Sequence, residues 1–60
     1  MDAYQLAIYA GIAAEIARME GMKCANIQAH YARKPQPYKP DDFFAVADEL
    51  SRLTVSARNS

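Results

Sequence analysis

Sixty residues with no net formal charge, one cysteine and one histidine make a single small domain at most. A chain this short buries only about 60% of the surface its unfolded form exposes, so it leans on disulfides, a metal or partners. Cys24 alone closes no intrachain disulfide, and Cys24 with His30 supplies two of the four ligands a structural zinc site needs. The neutral balance also lacks the broad basic field of a non-specific nucleic-acid binder. Association is left as the simplest source of extra stability.

The first predicted helix runs from about residue 2 to residue 33. Asp2 suits its N-cap, because a carboxylate accepts the free N–H groups of a first helical turn. Ala3, Ala7, Ala10, Ala14, Ala17 and Gly21 follow alternating spacings of four and three, a heptad stripe with almost no side-chain bulk. Such a stripe lets another helix approach closely. Two bulkier rows flank it. Ile8, Ile12, Ile16 and Met19 form one; Leu6, Tyr9, Ala13 and Ile16 form the other. Before Met19 only Gln5, Glu15 and Arg18 interrupt this apolar surface. A helix apolar over most of its circumference sits centrally in a bundle, and a two-helix monomer cannot cover it.

Gly21 could end this helix as a C-cap or sit inside it at a cost of about 1 kcal/mol relative to Ala. No proline, serine or threonine surrounds it, so a continuous or slightly kinked helix is expected. After Gly21, Cys24, Ile27 and Tyr31 share a face. The break comes at Lys34-Pro35-Gln36-Pro37-Tyr38-Lys39-Pro40, which holds all three prolines. Each proline removes a donor and turns its predecessor away from helix, giving a stiff, extended turn over residues 34–40.

The second helix is predicted from about residue 41 to residue 57. Pro40 fits its first turn, and Asp41 and Asp42 lie where the helix dipole favours anions. Phe43, Val46, Leu50, Leu53 and Ala57 form a core seam, which Phe44 and Ala47 widen. On the opposite face Asp48 and Arg52 stand at i, i+4, with Glu49 beside them. Arg58, Asn59 and Ser60 are expected to fray.

These elements predict an all-α fold: one domain over residues 1–60, an antiparallel two-helix hairpin that assembles as an oligomeric helical bundle. The seam of helix 2 should lie against one stripe of helix 1. The other stripes are left for a second copy, and a dimer would be a four-helix bundle of twofold symmetry. Ala3, Ala7, Ala10, Ala14, Ala17, Ile8, Ile12, Ile16, Met19, Phe43, Val46, Leu50 and Leu53 are thus the expected helix-packing or oligomer-interface positions. No positive n-region or cleavage site marks a secretory signal. The longest apolar run, Leu6 to Ala14, falls far short of the roughly 20 residues that span a bilayer. A soluble, cytoplasmic protein without membrane contact is expected.

No catalytic residue, cofactor or metal site is expected. His30, near the end of helix 1, suits a surface or capping role, and its sequence neighbours supply no partner for catalysis. Cys24, in an apolar stripe, reads as a small buried hydrophobe. Tyr4 and Tyr9 should pack. Asp41, Asp42, Asp48 and Glu49 lack the spacing and glycine of a calcium loop. Charge is uneven: residues 18–39 carry Arg18, Lys23, Arg33, Lys34 and Lys39 against Glu20, between two acidic flanks. Tyr31, Arg33, Lys34, Tyr38 and Lys39 form a basic, aromatic edge at the turn. They are the candidate contacts for a partner, since Tyr and Arg are enriched at interface hot spots. The alternative to a protein partner is nucleic acid, bound by the basic middle segment of an oligomer.

The run Ala14-Glu15-Ile16-Ala17-Arg18-Met19-Glu20-Gly21-Met22-Lys23-Cys24-Ala25-Asn26, followed by Phe44, Ala47, Glu49, Leu50 and Leu53, resembles small uncharacterised accessory proteins from the early regions of lambda-like temperate phages and prophages. The resemblance covers about two-thirds of the chain. It implies a non-enzymatic protein that acts by binding, on a phage or host protein, and it assigns no functional residue.

Overall fold

The computed structural model describes residues 1–59. Helix α1 spans Ala3–Tyr31 and helix α2 spans Pro40–Asn59. The two pack against each other as an antiparallel hairpin 46 Å long, and no strand occurs among the described residues.

Local chemistry sets the start of α1. The Asp2 carboxylate accepts the Gln5 N–H at 2.7 Å, and the Gln5 side-chain oxygen accepts the Asp2 N–H at 3.4 Å. This reciprocal capping box satisfies two donors that would otherwise lack partners. The helix then runs unbroken through Gly21, as its surroundings predict. Twenty-nine residues give a rod about 43 Å long.

The end of α1 comes two residues earlier than the sequence suggests. Ala32 is the C-cap, and Arg33 adopts a left-handed conformation with φ of 58°. The Arg33 N–H donates to the His30 carbonyl at 3.1 Å, and the Lys34 N–H donates to that of Ala29 at 2.9 Å. This pair of bonds is a Schellman motif, with arginine where glycine is usual.

Two contacts hold the proline turn. The Asn26 side chain faces the backbone of Tyr38, donating to its carbonyl and accepting its N–H, each at 3.0 Å. Next, the Asp42 carboxylate accepts the Lys39 N–H at 2.8 Å. Pro40, which has no N–H to lose, opens α2. Helix α2 continues to Asn59, so Arg58 and Asn59 are helical where fraying is expected. Ser60, the third residue of that expectation, lies outside the described residues.

The core is thin. Ile8 and Met22 of α1 and Val46 of α2 are buried, and Ile12, Met19, Phe43, Leu50 and Leu53 are half-buried around them. Gly11 faces Leu53, where a Cβ would stand 3.5 Å from a leucine methyl. The seam of α2 therefore meets the isoleucine row of α1, but not all of it. Successive i, i+4 positions rotate about 40° around a helix. By Ile16 the row has turned off the contact, leaving that residue 45% exposed. Half-buried Glu15 and then Met19 and Met22 carry the contact onward. Phe44 and Ala47 do not widen the seam: both are exposed, Phe44 at 63%, because they lie on the outer side of α2.

Candidate functional site

Helix α2 occupies one side of α1 and leaves the other bare. On the bare side lie the alanine stripe, with Ala3, Ala7, Ala10, Ala14 and Ala17 all exposed, and the row of Leu6, Tyr9, Ala13 and Ile16. Leu6 is 62% exposed and Ile27, further along, 54%. From Ala3 to Ala17 this face carries no charge, because Glu15 and Arg18 sit toward α2 and are ion-paired at 2.8 Å. Tyr4 and Tyr9, expected to pack, are both exposed, Tyr9 on the side away from α2 and Tyr4 one turn before buried Ile8. Cys24 is likewise exposed rather than buried, since its position faces away from α2.

The tip of the hairpin is the second candidate surface. Tyr31, Arg33, Lys34, Tyr38 and Lys39 are all exposed there. Structure adds three devices the sequence reading missed: the Asn26 clasp on Tyr38, the capping bond of Asp42 and the left-handed Arg33. The Asx-type chemistry of Asn26 was visible in its residue type, but nothing local said that its partner lies twelve residues away. His30 sits beside this tip with its ring edge-on to Tyr31, centroids 5.6 Å apart. The basic middle segment divides. Lys23 pairs with Glu20 at 3.3 Å and Arg18 with Glu15, whereas Arg33, Lys34 and Lys39 stand on the tip.

On α2 the charge pairing differs from the expected register. Arg52 pairs with Glu49, through Nε to Oε2 at 3.0 Å and through Nη2 to Oε1, and not with Asp48. An arginine can grip a carboxylate with both prongs at i, i+3 as well as at i, i+4. The hydrogen bonds from Arg52 hold the Glu49 carboxyl below its ordinary pKa; partial desolvation opposes this, and the charges of Arg52 and Arg18 add to the lowering.

A shallow cleft of about 240 Å³ lies between the helices, lined by Arg18, Met22, Tyr38, Asp42, Ala45 and Val46. Its charged groups already have partners: Arg18 holds Glu15, and Asp42 holds the Lys39 N–H. No group of three potential metal ligands is found among the described residues, and no described helix is long and apolar enough to cross a membrane. Comparison with known protein families, curated proteins and solved structures found no match.

Proposed function

We propose that this chain is a non-catalytic helical hairpin that acts through protein–protein contacts, as a homo-oligomer, in the cytoplasm. The observation that carries the reading is the bare face of α1, where Leu6, Tyr9, Ile16 and Ile27 are each 45% exposed or more on the side away from α2. Large contiguous apolar patches on a protein surface mark interaction sites. The tip residues Tyr31, Arg33, Lys34, Tyr38 and Lys39 are then the surface offered to a further protein. The resemblance to phage accessory proteins supplies the biological setting: a small phage or prophage regulator that binds a host or phage protein. Binding nucleic acid instead is less favoured, because within the basic middle segment Arg18 and Lys23 are tied to Glu15 and Glu20, leaving Arg33, Lys34 and Lys39 at the tip to meet phosphates.

Light scattering over a dilution series tests the reading. A mass of two or more chains that persists on dilution supports it. An ordered monomer at tens of micromolar removes the homo-oligomer.

A further inference from the structure

The unpartnered face carries enough information to say what covers it and in which direction. A compact monomer of 6.7 kDa exposes about 3,900 Å². This chain exposes 4665 Å². The surplus of roughly 750 Å² is close to the ~800 Å² that each partner contributes to a standard stable interface. The bare face of α1 carries the exposed apolar side chains Leu6, Tyr9 and Ile16, and the uncharged stretch around them is long enough to seat another helix of the same kind.

Resting on the oligomer reading above, we infer that the occupant is a second copy, with the two α1 helices antiparallel about a dyad at the level of Ile12. Three features of the face select this geometry. The small-residue stripe is symmetric about its own midpoint. Ala3 stands level with Gly21 of the second copy, Ala7 with Ala17 and Ala10 with Ala14, so small meets small along the whole approach.

The bulky row obeys the same dyad. When two helices pair antiparallel, each flank of one meets the same flank of the other; in parallel pairing opposite flanks meet. Antiparallel pairing therefore brings Tyr9 to within one residue of the level of the second copy's Ile16, twice, and closes the exposed Leu6–Tyr9–Ile16 row into a second core. Parallel pairing would set that row against the flank carrying Arg18. The same register brings Asp2 to within one residue of the level of the second copy's Lys23, opposite charges at both ends of the contact. Antiparallel helix dipoles also attract, where parallel ones repel.

The native cysteine reports the geometry without any substitution. Cys24 is exposed on the same side of α1, twelve residues from the dyad. In the antiparallel dimer its two copies stand about 36 Å apart along the helix axis. A spin label on Cys24 should give an inter-label distance of about 30–45 Å, and mild oxidation should yield no disulfide, which needs Cα atoms within about 7 Å. Ala13→Cys in a Cys24→Ser background should cross-link into a covalent dimer while keeping its helical circular dichroism. A dimer whose Cys24 labels lie under 20 Å apart, or whose native Cys24 cross-links readily, overturns the antiparallel dyad and leaves the oligomer reading standing. A monomer by mass overturns both.

Discussion

The side-chain amide of Asn26 grips the backbone of Tyr38 with both its ends, donating to the carbonyl and accepting the N–H at 3.0 Å each. It does so from the last turns of α1, across the proline turn. Prolines have removed three backbone donors from this segment, so the segment offers few bonds of its own. Asn26 thus substitutes for the pairing a turn would normally make with itself, and it fixes where α2 begins.

Replacing Asn26 by alanine should destabilise the hairpin. Two hydrogen bonds are lost at about 1 kcal/mol each, and alanine's better helix propensity returns roughly 0.6 kcal/mol. The net loss of somewhat over 1 kcal/mol corresponds to a melting shift of about 4–8 °C in a domain of this size. Asn26→Gln should not rescue it, because the extra methylene displaces both ends of the amide. Urea unfolding of the two variants beside the parent chain decides this; parental stability in Asn26→Ala would mean that the clasp contributes nothing.

Arg33→Gly should stabilise. The residue sits at φ of 58°, where a Cβ crowds the following carbonyl and glycine suffers no such contact. A gain of about 0.5–1 kcal/mol is expected in thermal unfolding. Arg33→Val, β-branched at the same position, should lose more than that. Equal melting temperatures for all three chains would contradict the left-handed turn.

The two helical glycines make a matched pair of tests. A Cβ at Gly21 meets nothing within 4 Å, so Gly21→Ala should gain about 1 kcal/mol from helix propensity alone. At Gly11 the new methyl would stand in ordinary contact with Leu53, so Gly11→Ala should gain as much or slightly more. Destabilisation by Gly11→Ala would show that the helices approach at Leu53 too closely for a Cβ at 3.5 Å.

Val46 and Phe44, two residues apart, should behave oppositely. Val46 is 1% exposed at the centre of the seam, and its truncation to alanine should cost about 2 kcal/mol. Phe44 is the larger side chain, yet it lies on the outside of α2, and Phe44→Ala should change stability by less than about 0.5 kcal/mol. Chemical denaturation of both variants tests this directly; a large loss from Phe44→Ala would mean that α2 turns a different face to α1.

The Glu49–Arg52 pair predicts a pH dependence with a definite sign. The folded pKa of Glu49 lies below its ordinary value, chiefly through the hydrogen bonds from Arg52. Its contribution to stability is therefore complete above the unfolded-state pKa and is lost as pH falls through the folded one. Glu49→Gln should be less stable than the parent chain at pH 7 and match it once acid has protonated the parent's carboxylate. Because the pair is exposed, added salt at pH 7 should shrink the difference as well.

Both helices and the break between them were legible in the sequence because their causes are local. Alanine content, the acid at Asp2, three clustered prolines and the 3–4 spacing from Phe43 to Leu53 act within a few residues of where they stand. So does the continuity of α1 through Gly21, which nothing nearby interrupts. The sequence did not say which of three apolar rows on α1 would receive α2. Rows that all look like core differ in fate only once the turn has set the approach of the second helix. Contact then drifts from Ile12 to Glu15 and Met19 while Ile16, Tyr9 and Leu6 turn outward. Tertiary structure alone likewise matched Asn26 to Tyr38, placed Arg33 in a glycine conformation and paired Arg52 with Glu49 over Asp48. Each of these depends on where two separately formed segments or side chains meet in space, and that is set by packing and chain reach, which local preference does not encode.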